Sequence, residues 1–499
     1  MKKISLLLAM TLIISLSAAA QSESQQPEDA VSTPKIISLE QALQIAISEN
    51  PSVKVADMEI ERTGYARKGS YAALFPTIDG SAAYQRTIKK QVMYMDFDMS
   101  AMGGGAASGQ GSGAGSGSDA NTGSATAGQS KAATAGGGIE VGRWNTWSTG
   151  ISAAMPLVNA QLWQSLKISD QDVELAVEKA RSSRLEMVNQ VKQAYFSCLL
   201  SKEAFKVYKS VYENALENFN QTQRKYNVQK ASDLDLARAK TSLANAVPNV
   251  YNAESSVVLA LWQLKAVMGI SLDENIDVAG ELSDYSNDML YDMAASSELD
   301  LENNTTLRQL SIQAEQLATA VRTQQMAYLP SLAVSFSYSM NAMTNDFKFS
   351  EYKWSPHSFI GLSLQIPIFS GGKRYHAVKQ AKVQAAELDV QKLNTERQLK
   401  IAIRQYLNQM ETAMKSFASA ESALVSAQKA FDIAQKSYNL GKSTLTDLND
   451  AQLALTQAQL STYQAIYNFV TAKANLENTL GADFIDEDGN VQLNKTYTE

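Results

Sequence analysis

The chain has 499 residues, a formal net charge of −7, one cysteine and two histidines. The acidic balance argues against a nucleic-acid partner, a lone cysteine excludes an intrachain disulfide, and the length allows more than one domain or one large elongated one. After the first twenty residues no apolar run approaches the ~18 residues of a membrane-spanning helix, which leaves a β-barrel open because its strands escape hydropathy counting.

Residues 1–20, MKKISLLLAMTLIISLSAAA, have the basic start, apolar middle and small-residue end of a secretory signal peptide. Gln21 would open the mature chain, and with no cysteine at the cut no N-terminal lipid anchor is expected. Residues 21–37 read as a linker. Ser38-Leu39-Glu40-Gln41 is a capping box, and Asn50-Pro51 is an N-cap followed by proline in the first turn. A helix of ~24 residues from Pro51 to Leu74 would cover ~36 Å. A strand is expected at about 77–94 and a second at 140–157. Between them, residues 103–138 hold half of the chain's 26 glycines and only two charges, Asp119 and Lys131. Such a tract cannot bury enough apolar surface to offset its ordering entropy, so it reads as a loop. Its GSGAGSG lacks the strand before and the helix after that a phosphate loop needs.

A helical hairpin follows at about 159–268. Its outgoing helix, Asn159 to Asn227, would span ~105 Å and its return helix, Ser232 to Met268, ~55 Å. The two shorter helices end to end nearly match the long one. Residues 270–302 are acidic and irregular. The pattern then repeats over 303–481, with strands at about 330–345 and 354–368 and a hairpin at about 371–480. Pro156 matches Pro367 at an offset of 211, and Tyr226 matches Tyr438 and Gly269 matches Gly481 at 212. An offset held over so much sequence indicates duplication. The first copy is longer by 43 residues between its prolines, and the Gly/Ser tract accounts for the excess.

Within the strands, Trp147, Thr149, Ile151, Ala153, Met155 and Leu157 alternate with Ser148, Gly150, Ser152 and Ala154, and Leu332 to Met340 alternate likewise. One bulky and one small or polar face fits either a sandwich core or a membrane barrel with a wet lumen. Trp144, Trp147, Tyr338, Tyr352 and Trp354 fall near strand ends, as an aromatic girdle or as cross-strand pairs would. Four strands cannot close a channel, whereas three chains would supply twelve. In the second hairpin Ile403, Tyr406, Met410, Ala413, Phe417, Ala420, Leu424, Ala427, Phe431, Ala434 and Tyr438 hold a 3-4 spacing for five heptads, a coiled-coil seam. The first hairpin keeps the register from Val191 to Tyr226, with Cys198 on the seam as a packed small residue.

SLEQALQIAISENP, the strand-to-helix passages GISAAMPLVNA and GLSLQIPIFSGG, and the tips YNVQKASDLDLARAK and YNLGKSTLTDLNDAQ appear in duplicated order. In these the chain resembles the TolC-type outer-membrane efflux family over almost all of its mature length. The resemblance implies an α+β membrane protein of duplicated units, each with two transmembrane strands and long coiled-coil helices. Three chains would form a twelve-stranded β-barrel continuous with a periplasmic α-helical tunnel. Residues 103–138 would be an extracellular loop, and 270–302 with the tail 482–499 an equatorial belt.

The implied function is a passive outer-membrane duct fed by an inner-membrane pump, of RND or ABC type, through a periplasmic adaptor (membrane fusion protein), with outer-membrane lipid around it. A type I protein secretion duct is the alternative to small-molecule efflux, and a periplasmic coiled-coil adaptor or structural protein the remote one. An iris at the periplasmic tip would be narrowed by an aspartate ring, by motif position Asp447 and Asp450. Its closing contacts would map to Asp235 and Tyr438, with Lys442 standing in for the basic residue expected at Ser443. Val228/Gln229 and Leu440/Gly441 would be the adaptor-docking turns. Asp447 at a helix start also has a purely structural reading, since the helix dipole favours a carboxylate there. No cofactor or metal is expected and no enzymatic activity: His357 and His376 have no metal-ligand spacing, and no nucleophile elbow or phosphate loop appears.

Overall fold

The computed structural model describes residues 34–93, 139–290 and 301–482. The expected signal peptide, the Gly/Ser tract and the tail beyond 482 lie outside the described residues. In chain order the elements are β1 (Lys35–Ile37), α1 (Leu39–Glu49), α2 (Pro51–Ala72), β2 (Thr77–Arg86), β3 (Gln91–Met93), β4 (Ile139–Val141), β5 (Asn145–Val158), α3 (Ala160–Asn227), α4 (Asp233–Met268), β6 (Ile276–Val278), α5 (Thr305–Met326), β7 (Ser331–Thr344), β8 (Ser355–Gln365), α6 (Lys373–Asn439) and α7 (Leu445–Leu480). They fall into two compact units. One takes in the described parts of Met1–Tyr65, Asp170–Ala318 and Lys382–Glu499; the other takes in those of Ala66–Ser169 and Thr319–Ala381.

The second unit is built on an antiparallel sheet of order β2-β5-β7-β8. The registers Ile151↔Tyr338, Ala153↔Phe336, Phe336↔Ile360 and Val334↔Leu362 put the bulky residues on one face. Ser152↔Ser337, Gly150↔Ser339 and Ser335↔Gly361 put the small ones on the other. Gly150 is required by closeness: a Cβ there would lie 2.7 Å from the Tyr338 carbonyl oxygen. The strand expected over 77–94 stops at Arg86, and Gln91–Met93 forms a separate ribbon with β4. At this end Trp147 is flanked by Tyr84 at 4.4 Å and Phe349 at 4.9 Å between ring centres. Pro156 sits in β5 at a register shift, where a missing N–H is tolerated. Its repeat mate Pro367 lies beyond β8, which ends at Gln365. After it Gly371 and Gly372, both with positive φ, turn the chain into α6.

The first unit is a helical body. Leu43, Val53, Tyr195, Leu264, Met268, Met410 and Phe469 are buried in one cluster. The linker ends in a structured segment, because β1 pairs in parallel with β6 and Tyr195 Oη lies 2.7 Å from Ala279 O and 3.2 Å from Ile37 O. The α6 seam faces inward: Ile403, Met410, Ala413, Ala420, Phe431 and Tyr438 are buried, and the seam residues between them half-buried. A partly buried ion pair, Lys192 Nζ to Glu477 Oε2 at 2.8 Å, ties α3 to α7.

The duplication is explicit where short and return helices meet. Asn50 caps α2 by accepting from Ser52 N at 2.7 Å, and donates from Nδ2 to Val267 O in the last turn of α4 at 2.6 Å. Asn304 caps α5 through Leu307 N at 2.9 Å and donates to Thr479 O in the last turn of α7 at 2.6 Å. Each junction closes on a left-handed glycine, Gly269 or Gly481, whose absent Cβ leaves room for the Glu49 or Asn303 carbonyl. One amide thus satisfies orphan groups of two helix ends at once.

Asn304 is 3% exposed, so Asn304→Ala leaves a buried N–H and a carbonyl unsatisfied and is expected to cost about 2 kcal/mol. Asn304→Asp keeps the cap but sets a carboxylate against the Thr479 carbonyl. Its thermal unfolding midpoint should be low at neutral pH and recover in acid, where the protonated carboxyl donates again, while that of Asn304→Ala should show no such recovery.

Candidate gate at the hairpin tips

Each hairpin tip ends its outgoing helix in the same way. Gln229 N donates to Tyr226 O at 2.8 Å and Lys230 N to Lys225 O at 2.8 Å. In the second copy Gly441 N donates to Tyr438 O at 3.0 Å and Lys442 N to Ser437 O at 2.8 Å. Both turns need a left-handed residue. Gly441 has φ 74°, and Gln229 takes φ 59°, the one non-glycine with positive φ among the described residues. Directly before them Val228 is 62% and Leu440 71% exposed. Each tip therefore presents an uncovered aliphatic side chain and then a lysine.

The return helices also start alike. Ser232 caps α4, and its N–H and hydroxyl both donate to Asp235 Oδ2, at 3.3 and 2.8 Å. Thr444 caps α7, its N–H and hydroxyl donating to Asp447 Oδ2 at 2.9 and 2.7 Å. The aspartates at N3 complete reciprocal capping boxes. The Thr444 hydroxyl first, and its N–H second, hold the Asp447 carboxyl below the usual range. Asp450, one turn further along α7, is exposed and makes no hydrogen bond or ion pair among the described residues.

Tyr438 lies on the buried side. Its hydroxyl is 2.6 Å from Thr222 Oγ1, and Lys225 Nζ sits 4.6 Å above its ring. Around it Phe431, Leu445, Leu448, Leu455 and Ala239 form a small core. Within one chain the tip thus joins Tyr438 to Thr222 and Lys225. It does not join Tyr438 to Asp235, whose carboxylate serves its own helix, or to Lys442, which is exposed. In the first tip the Asp233 carboxylate pushes the Tyr226 phenol above its ordinary pKa. The sequence places Thr222 on the seam without a role at the tip, and does not single out Lys225 or Asp233.

The sequence matches the outer membrane efflux protein family over residues 42–270 and 297–482. The chain belongs to that family. It is similar to the outer membrane protein TolC of Escherichia coli (strain K12), 21% identical over 71% of this chain and 73% of the relative. It is similar also to the alkaline protease secretion protein AprF of Pseudomonas aeruginosa, 22% identical over 67% and 69%. Its fold is that of the Campylobacter jejuni CmeC outer membrane channel, with a TM-score of 0.64 at 18% identity covering 91% of this chain and 86% of that one. The open-state MtrE outer membrane channel of Neisseria gonorrhoeae gives a TM-score of 0.63 at 16% identity, covering 89% and 88%. This outer membrane efflux protein accordingly resides in the outer membrane, and its family and structural neighbours are channels rather than enzymes.

The cap at Thr444 gives a local test. Thr444→Ala is expected to cost about 1 kcal/mol at the start of α7 and to speed amide exchange at Leu445–Leu448 about fivefold. Because the folded pKa of Asp447 is depressed, its contribution is complete above the ordinary carboxyl range and fades as pH falls through the lowered value. Exchange at the same amides, corrected for intrinsic rate, should rise in acid for the unaltered protein and change less in Asp447→Ala.

Proposed function

We propose that three copies of this chain form a twelve-stranded outer-membrane barrel continuous with a periplasmic helical tunnel. The assembly acts as a passive export duct. The observation that carries this reading is the sheet: one face bulky and apolar, the other mostly Ser, Gly and Ala with Asp79, Asn341, His357 and Phe359 among them, and the outer edges of β2 and β8 unpaired among the described residues. Unpaired backbone in hydrocarbon costs several kcal/mol per group, so the edges need partners. Three four-stranded sheets suffice to enclose a wet lumen. The undescribed Gly/Ser tract, connected through the β3–β4 ribbon, would be the extracellular loop.

With no catalytic chemistry assigned to it, the duct would draw its energy from an inner-membrane pump, of RND or ABC type, through a periplasmic adaptor. Val228, Gln229, Leu440 and Gly441 are the proposed docking surface: exposed aliphatic knobs on rigid turns suit helix-tip contacts. The tips would also be the gate. Threefold symmetry would gather the Asp450 carboxylates, with the free oxygens of Asp447, near one axis, where crowded like charges favour bound cations. Tyr438 with Thr222 and Lys225 would hold the helices closed, and Asp235 and Lys442 are candidates for contacts between copies. The similarity to AprF, named for protease secretion, favours a protein-secretion duct as the second reading.

Single-channel recording in a planar bilayer tests the duct and its gate together. A small steady conductance, blocked by a trivalent cation added on the tip side and released from block in Asp450→Asn, is expected. A large current indifferent to the cation contradicts the gate, and no current from inserted protein with Tyr438→Phe and Asp450→Asn combined contradicts the duct.

A further inference from the structure

The sheet unit is basic in an acidic chain. Its described residues carry thirteen lysines and arginines against four acids, Asp79, Glu140, Asp346 and Glu351, while the whole chain has a net charge of −7. The distribution is more telling than the total. All four strand–helix connections leave the same end of the sheet, as the registers Thr77↔Ala154 and Ser331↔Gln365 require. Each carries a base at nearly the same distance from its strand. Lys68 lies nine positions before Thr77, Lys167 nine after Val158, and Arg322 nine before Ser331. In the fourth, Lys373 and Arg374 lie eight and nine after Gln365, with Lys379 a turn beyond. Residues 66–76, 159–169, 319–330 and 366–381 contain no acid at all. The pattern is duplicated: Lys68 and Arg322 are separated by 254 positions, as are the capping Asn50 and Asn304, and Lys167 and Lys379 by 212.

Aromatic rings sit between these bases and the strands. Arg67 lies 5.7 Å from the Tyr71 ring centre, Arg374 5.5 Å from that of Tyr328, and Lys379 5.7 Å from that of Tyr375. Trp163, the repeat mate of Tyr375, stands one helical turn before Lys167 and is 51% exposed. Closer still to the sheet, Phe75, Ile368 and Phe369 are 67, 92 and 87% exposed. From the sheet outward three connections run from apolar strand to ring to cation, and in the fourth Lys373 and Arg374 precede the Tyr375 ring while Lys379 follows it. Lys167, seven residues into its helix, stands roughly 10 Å beyond the helix start. An aqueous surface has no use for this order, whereas a membrane interface does: rings settle at headgroup level and cations reach the phosphates beyond.

We propose that the helix-side rim of the sheet is a binding collar for anionic phospholipid headgroups, with Lys68, Lys167, Arg322 and Lys379 as its phosphate-contacting cations. The proposal rests on the reading that this sheet spans the outer membrane. The collar would set the depth of the sheet in the bilayer and retain phosphatidylglycerol-type lipid in preference to zwitterionic lipid.

The test uses the full mature chain in mixed micelles of phosphatidylglycerol and phosphatidylcholine, followed by gel filtration and assay of the retained lipid. Phosphatidylglycerol is expected to be enriched about tenfold over its share in the micelle, falling toward parity in about 0.5 M salt. The same fall is expected in the variant combining Lys68→Gln, Lys167→Gln, Arg322→Gln and Lys379→Gln, exposed helical changes that should leave circular dichroism and assembly mass unaltered. Retention of both lipids without preference overturns the collar but leaves the membrane reading intact. Retention of neither overturns both. Displacement of the bound phosphatidylglycerol by millimolar inorganic phosphate would mean a simple anion site, and an unchanged lipid preference with altered ion selectivity in the variant would place the cations toward the lumen. Either result overturns the proposal.

Discussion

A β-strand whose outer edge is unpaired can rest in water but not in hydrocarbon, and the architecture of this protein follows from that constraint. β2 and β8 each present a row of backbone groups without partners among the described residues. The bulky face beside them, with Ile360 78% and Leu362 67% exposed, calls for an apolar solvent. In the proposed assembly one constraint is met by closure with other copies and the other by lipid, as for a segment of a membrane barrel. The face of mostly small residues would then line the lumen of the proposed conduit.

The helical unit answers a different problem, that of keeping very long helices in register. The junctions at Asn50 and Asn304 join a short helix to a return helix by one side-chain amide and one glycine, so that two pieces act as one column. At the tips the capping boxes of Ser232 and Thr444 fix where the return helices begin, and the left-handed turns at Gln229 and Gly441 fix the loop geometry. These repeated ends leave Val228 and Leu440 exposed at corresponding places in the two turns. The second copy differs from the first in its tyrosine: Tyr438 is buried and meets Thr222 across helices, while Tyr226 lies nearer the surface.

Much of this was legible in the sequence, and for physical reasons. Period-two alternation in Trp147–Met155 and Leu332–Met340 reflects one bulky and one small face, and the 3-4 spacing from Ile403 to Tyr438 reflects one buried stripe, so both survive without tertiary knowledge, whereas the bulge that sets Val158 rather than Leu157 opposite Leu332 does not. The capping box at Ser38 was read directly, because its two members lie three residues apart. Asp235 and Asp447 stand in the same relation to Ser232 and Thr444, and the helix-start reading of Asp447 rested on the dipole rather than on this box. The end of β2 at Arg86 was not legible, because its alternation is weak and the ribbon of β3 with β4 is a pairing across the whole Gly/Ser tract. Nor was the Tyr438–Thr222–Lys225 cluster, since it joins residues more than two hundred positions apart and no local pattern encodes which faces of two long helices touch. The basic rim was visible residue by residue, yet it has meaning only once four connections are known to leave one end of one sheet.

The most direct test of the closed barrel is the mass of the folded assembly, measured by native mass spectrometry after gentle detergent extraction. Three mature chains are expected, surviving detergent exchange as a unit because the edges of β2 and β8 are then paired throughout. A stable, folded single chain with both edges open would contradict the barrel and with it the duct.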